Sequence, residues 1–435
     1  MSDGPSTRLL EYEAQALLER LNEQRPFALT LPMVAAAAPS VAAQAAIEAF
    51  LAQGRRHLRQ IVDHYLAWLR SPAGALASAA QAQHRFALVR LRFLDVITQF
   101  DVFSDALAER SQHGYGEWLG GLDVAAADAL ALPGRWFSSP PVICHLDRGP
   151  GAAIRRVRTR LPGGVLTPVA MIRIPRERMV GSAVASSLVH EVGHQGAELL
   201  DLVAPLRELL EGLAMLRPEE AFAWRCFKTW ISEIVADFWS VARVGITSTL
   251  GLMSVVSLPK AFVMRFSVDD PHPPPWIRVK ISAAMGNALY PDLQWNRVSA
   301  LWEALYPATL ATPRDAAMFR SLERCIPAFV GALASLRPHR LGERTLAQAL
   351  ASDDRTPARL RLLWRDHRRR PDTLAGVPPT VALAALGQAK SDGWLGVTEE
   401  VTLLRRLLRF WALQSTVDAR EICANAQPAA LAMAM

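Results

Sequence analysis

In the stretch Val189-His190-Glu191-Val192-Gly193-His194, residue type and spacing together demand a chemistry. On a helix, His190 and His194 are four positions apart and project from one face, where two imidazoles can grip a single metal ion. Glu191 is turned about 100° around the axis. That puts a carboxylate beside a metal rather than on it, placed to take a proton from a metal-bound water. The preceding residues, Val180 to Val189, carry no charge and are mostly small or apolar, which predicts a helix packed closely on all sides. Imidazoles and a carboxylate set in so dry a helix need partners, and a metal supplies them.

A second segment, Trp230-Ile-Ser-Glu233-Ile-Val-Ala-Asp237-Phe-Trp239, has matching features. Pro218 suits the first turn of a helix, Glu219 and Glu220 favour its N-terminal dipole, and apolar residues recur at helical spacing to about Val244. Glu233 and Asp237 share a face and are the only charged residues between Lys228 and Arg243. Carboxylates among Ile231, Ile234, Val235, Phe238 and Trp239 need a cation or hydrogen-bond donors. Glu233 is therefore read as the third metal ligand. Asp237 is read as the acceptor for the other ring N–H of a ligand histidine, fixing its tautomer. Two histidines and one glutamate leave a fourth tetrahedral position for water, the open geometry of a catalytic zinc site. One Zn2+ per chain, held by His190, His194 and Glu233, is the expected cofactor.

His190-Glu-x-x-His194 followed 39 positions later by Glu-x-x-Ala-Asp resembles the gluzincin metallopeptidases, in which a downstream helix supplies a Glu ligand and a supporting Asp. Pro271-His272-Pro-Pro-Pro-x-x-Arg278 is similar to the His-Pro-x-x-x-x-Arg element of the branch that contains the CAAX prenyl proteases and the membrane heat-shock proteases. The resemblance covers about residues 150–280 and implies zinc-dependent hydrolysis of peptide bonds. Members of that branch carry transmembrane helices. Here Val34–Ala52 is broken by Pro39, Gln44 and Glu48, and Ile246–Met264 contains Pro259 and Lys260, so neither stretch is expected to span a membrane. Residues 246–264 are expected instead to cover the site as a buried helical segment. His272 is placed on the substrate side of the site, because a fourth protein ligand would close the position that water must occupy. Its neighbours, Pro271 and Pro273–Pro275, stiffen a loop over the cleft. From there an imidazole can donate to the developing oxyanion. Arg278 is expected to anchor the loop on a nearby carboxylate.

Bulk properties frame these motifs. The chain has 435 residues, 51% of them hydrophobic and only 20% charged, which argues for a large core and against disorder. A net charge of +7 in a chain of this length implies weak attraction to acidic partners. No aromatic-interleaved basic motif is present, so nucleic-acid binding is not expected. Cys144, Cys226, Cys325 and Cys423 lie far apart without Cys-x-x-Cys spacing and read as reduced thiols of a cytoplasmic protein. The N-terminal residues have no positive region followed by an apolar run, and no secretory leader is expected.

The elements that must position the site are mostly helical. Residues 1–130 read as a helical N-terminal domain, with helices over Leu9–Leu21, Ser40–Leu69 and about Gly74–Ser111. Its His57, His64 and His84 read as ordinary histidines. Pro133-Gly134 and Pro140-Pro141 mark a linker. Within a zincin-like core at 131–280, Ile154–Arg160, the turn Leu161-Pro-Gly-Gly164 and Val169–Ile174 predict a β-hairpin leading into the His190 helix. Such a hairpin offers an edge strand against which an extended peptide can pair. Its arginines, Arg155, Arg156, Arg158, Arg160, Arg173, Arg176 and Arg178, suit either a solvated, internally paired face or selection of acidic substrate segments. Residues 281–435 read as a helical C-terminal domain, and Arg365–Arg370 as cations complementing a helix C-terminus before Pro371. The expected fold is mainly α, with helical N- and C-terminal portions around a small α+β zincin-like centre with a β-hairpin. The expected function is that of a zinc metallopeptidase with Glu191 as general base and a peptide or protein substrate. The alternative is a catalytically silent zincin-like binding or scaffold protein.

Overall fold

The helix expected from Ser40 starts there, whereas the one expected from about Gly74 starts only at Ala79, behind Ser78. Ser40 Oγ accepts from the Ala43 N–H at 3.2 Å, and Ser78 and Gln81 form a reciprocal capping box. A computed structural model of the chain describes residues 4–23, 31–134, 136–147, 153–155, 161, 166–267 and 270–432. Helices α1 (Pro5–Asn22), α2 (Val41–Arg70) and α3 (Ala79–Ala108) pack side by side, with a single helical turn, Pro72–Leu76, where Pro72 ends α2. Leu10, Leu17, Leu51, Leu58, Phe86, Phe93 and Phe103 meet between them as one hydrophobic core.

Helix α4 (Tyr115–Leu130) leads into a small sheet of β1 (Val142–Asp147), β2 (Ala153–Arg155) and β3 (Ala170–Pro175) in the order β1-β3-β2. β2 pairs antiparallel with β3, Ile154 opposite Ile172, as the hairpin requires. The turn at Pro162–Gly164 and Arg156–Arg160 lie outside the described residues. β1 was not expected. It is short, follows directly on Pro140-Pro141 and pairs in parallel with β3, Val142 opposite Ala170, a long-range contact that leaves no local signal. β3 is thus the middle strand, and of the two hairpin strands only β2 lies at an edge. The sheet separates two cores by its two-residue alternation: Ile143 and Met171 face the N-terminal helices, whereas Val142, Cys144, Ile172 and Ile174 face the rest of the chain.

That larger core is built by α4 together with α5 (Ala183–Leu199), α6 (Val203–Leu216), α7 (Ala221–Val244), α8 (Ile246–Val256), α9 (Pro275–Leu289), α10 (Gln294–Leu305), α11 (Pro313–Ser335), α12 (Pro357–Arg369), α13 (Pro379–Ser391) and α14 (Val397–Ala432). The helices of 281–435 therefore share one core with the site helices. The fold is mainly α with a small β element. α13 carries no amphipathic stripe because Val381 to Ala389 are buried on every side. Cys144, Cys226 and Cys325 are buried and unpaired, and burial pushes the Cys226 thiol up to about 12. Among the described residues, no helix is long and apolar enough to cross a membrane.

Candidate metal centre

The centre is made where α5 crosses α7. A Cβ built on Gly193 would stand 2.8 Å from the Cα and carbonyl oxygen of Ala236, and one on Gly196 would stand 2.4 Å from the Trp239 ring. Only glycine lets the two backbones come so close. Both helices carry the same pattern, polar-x-x-small-polar: His190, Gly193 and His194 on α5, and Glu233, Ala236 and Asp237 on α7. The small residues meet at the crossing, and the polar pairs are brought face to face beside it.

His190 Nε2 lies 3.4 Å from Glu233 Oε2, and His194 Nε2 lies 3.3 Å from Glu233 Oε1. One donor atom from each of the three residues falls within 4.8 Å of the others, and the imidazoles stand nearly perpendicular, 85° apart. Bonds of about 2.0–2.2 Å to a tetrahedral ion place neighbouring ligand atoms about 3.4 Å apart, the size of the two His–Glu233 separations, so the three residues could hold a metal ion such as zinc. His190 Nδ1 lies 2.7 Å from Asp237 Oδ1, the contact expected of a carboxylate that orients a ligand histidine.

Arg278 of α9 completes the cluster. Its Nε donates to Asp237 Oδ2 at 2.7 Å, and its Nη2 donates to Asp237 Oδ1 at 2.9 Å and to Glu233 Oε2 at 3.2 Å. The expected carboxylate partner thus belongs to the centre itself and not to the loop. With Oε2 occupied by the guanidinium, Oε1 is the Glu233 oxygen turned toward His194. Burial pushes the Glu233 carboxyl up, but the two histidines and Arg278 outweigh it and hold it well below the usual carboxylate range. Asp237 is lowered against its burial by Arg278 and His190. Burial works against the charge on His190, yet Asp237 and Glu233 win and raise its pKa to about 9. Without a metal, a proton on His190 balances these carboxylates.

Glu191 is buried, 8% exposed, next to His190 on α5. His272 lies on the loop before α9 with its ring 57% exposed. Its Nδ1 and its backbone N–H both lie 3.0 Å from Asp270 Oδ1, which leaves Nε2 facing Glu233 Oε1 at 3.8 Å. The Trp230 indole N–H donates to the Asp270 carbonyl at 3.1 Å, tying the loop to α7 one turn before Glu233. All six residues expected at the centre, Arg278 aside, are thus on α5, α7 or this loop. Asp269 lies outside the described residues.

Gly193, Ala236 and Trp230 were not singled out in the sequence. The only available signal was two small residues at matching places in the two motifs. Residues 246–264 form α8, which packs on the first half of α5 through Gly251 and Ser186, then the exposed Ser257–Pro259 and a short helix, Lys260–Val263, of which Val263 alone is buried, so the segment is largely helical but buried only in part. Of the hairpin arginines, Arg176 meets Glu109 at 3.4 Å and Arg178 meets Glu177 at 3.3 Å, the internally paired arrangement. His57, His64 and His84 are exposed on α2 and α3. No family model, curated protein or solved structure matches the chain.

Proposed function

We propose that the chain is a zinc-dependent metallopeptidase of gluzincin type, with His190, His194 and Glu233 holding one Zn2+. The observation that carries this reading is the convergence of three donor atoms within 4.8 Å, with Asp237 on the outer nitrogen of His190. Bound zinc supplies a Lewis acid that lowers the pKa of water and polarises a peptide carbonyl. Asp237 keeps the Nδ1 proton of His190, so that Nε2 turns its lone pair inward. Arg278 holds both carboxylates in place and offsets their charge. Glu191 takes the proton of the attacking water and passes it to the leaving amine. His272, with Nδ1 fixed by Asp270, donates from Nε2 to the oxyanion that develops on the carbonyl.

The substrate is a peptide or protein segment, and the division of labour follows 1–130, 131–280 and 281–435, with catalysis in the middle portion. Buried, unpaired Cys144, Cys226 and Cys325 favour a reducing, cytoplasmic setting. The second reading, a silent zincin-like scaffold, draws on the large share of helices outside 150–280. Metal analysis of the purified protein, combined with cleavage of an unbiased peptide library by wild type and Glu191→Gln, separates the two. Zinc at one per chain with library cleavage supports the peptidase. Zinc without cleavage by wild type supports the scaffold.

A further inference from the structure

Helix α5 lacks the N-terminal signals that its role requires. Ser182, its N-cap residue, makes no capping bond with its own side chain, and the first turn holds no acidic residue. The usual solution is a capping box, in which a Glu three residues on reaches back to the N-cap N–H. That position is Ala185. The missing carboxylate comes from the far end of the chain. Glu400, on α14, is 3% exposed; its Oε1 accepts from the Ser182 N–H at 2.8 Å and from the Ser182 hydroxyl at 2.5 Å. Lys390 Nζ of α13 stands 3.3 Å from the same group. Gly181, at φ 79°, turns the chain beneath it, and a Cβ there would come within 3.4 Å of the carboxyl carbon.

We propose that Glu400 is a positioning residue of the metal centre: from the C-terminal helix it completes the cap of α5 and so sets where His190 and His194 stand against Glu233. The inference rests on the metal reading of the centre. The cap fixes α5 at its first turn, and His190 follows two turns on. A helix free to slip or fray at that end moves both imidazoles along its axis, away from the Glu233 oxygens now 3.3 and 3.4 Å from them. The negative charge also opposes the positive end of the helix dipole, a favourable placement that no residue of the first turn provides. α14 is well seated for this task. A Cβ on Gly121 of α4 would stand 2.2 Å from the Leu408 carbonyl oxygen, so the two helices touch backbone to backbone.

The test uses the full chain and zinc affinity measured by competition with a chromophoric chelator, beside thermal melting and amide hydrogen exchange over α5. Glu400→Ala leaves two buried donors of Ser182 unpartnered. It is expected to weaken zinc binding by about 2- to 30-fold, the range of a lost helix cap. Glu400→Gln keeps an acceptor oxygen and is expected to fall between wild type and Glu400→Ala. Glu399→Ala, one residue away on the same helix and paired instead with exposed Arg368, is expected to leave zinc affinity unchanged even if it lowers the melting temperature.

Should Glu400→Ala not fold, Ser182→Ala removes the hydroxyl contact alone and is expected to weaken zinc by about two- to tenfold. Folded Glu400→Ala with wild-type zinc affinity would overturn the proposal, and so would an equal loss in Glu399→Ala. Wild type that binds no zinc would overturn the metal reading itself. Faster exchange at the first turns of α5 in metal-free Glu400→Ala, absent from Glu399→Ala, would then still establish the cap, and its absence would remove that too.

Discussion

Gly193→Ala probes the helix crossing on which the centre depends. The new Cβ would stand 2.8 Å from Ala236 Cα and O and 3.0 Å from Trp239 Cβ, where contacts between carbon atoms are about 3.5–4.0 Å. Backbone lies on both sides, so no side chain can rotate away, and α5 must retreat from α7 by about 1 Å. Zinc sites tolerate about ±0.2 Å in their ligand distances. A 1 Å retreat of His190 and His194 from Glu233 exceeds that several times over. The expected outcome is a stability loss of about 1–3 kcal/mol from overpacking and a loss of zinc affinity at or beyond the about 10–100-fold that follows misorientation of a single ligand. Urea unfolding of the metal-free protein reads the first, and chelator competition the second. Gly212→Ala is the internal control. It lies in α6 with nothing within 4 Å of the added Cβ, and alanine there should stabilise by about 0.5–1 kcal/mol. If Gly193→Ala binds zinc as tightly as wild type and unfolds at the same urea concentration, the close crossing does not hold the centre together.

Glu191→Gln keeps the shape of the side chain but cannot accept a proton; zinc content is expected to stay normal while peptide cleavage falls by at least about 100-fold, and undiminished cleavage would contradict the proposed general base. Asp237→Ala frees the Nδ1 side of His190 and leaves Arg278 with one carboxylate fewer. About 10–100-fold weaker zinc binding is expected from titration against a chelator. His272→Ala is expected to lower kcat while zinc affinity stays within about threefold, since the ring sits beside the ligand set without joining it; a zinc-free His272→Ala protein would make the histidine a ligand instead. For pH, His190 has a folded value of about 9, raised above the unfolded value of about 6.5. In the metal-free protein its ion pair therefore contributes stability fully below about pH 6.5, and that contribution is lost as pH rises through about 9. Zinc must displace this proton, so apparent affinity should climb by about one decade per pH unit between pH 7 and 9 and flatten above. Equal zinc affinity at pH 7 and pH 9 would show that His190 is already neutral.

What could be read from the sequence was whatever depends on neighbours along the chain. His190 and His194 share a helical face through their spacing alone, as do Glu233 and Asp237, and the charge-free flanks of both pairs announced burial. The long helix α2 was legible from its apolar spacing and from Ser40, most of α3 from its apolar spacing, and the β2–β3 pairing from its turn residues. α13 was not, because a helix buried on every side has no stripe to betray it, and β1 was not, because a parallel partner 28 positions away leaves no local trace. The site divides along the same line. Residue types and i, i+4 spacing determined which side chains could serve one metal. Only the tertiary structure decided that Gly193 meets Ala236, that Arg278 grips Asp237 and Glu233, that Trp230 holds the His272 loop and that Glu400 reaches Ser182 from 218 positions away. Each of these is a close approach between elements distant in sequence, and such contacts are set by the packing of whole helices, which no local pattern encodes.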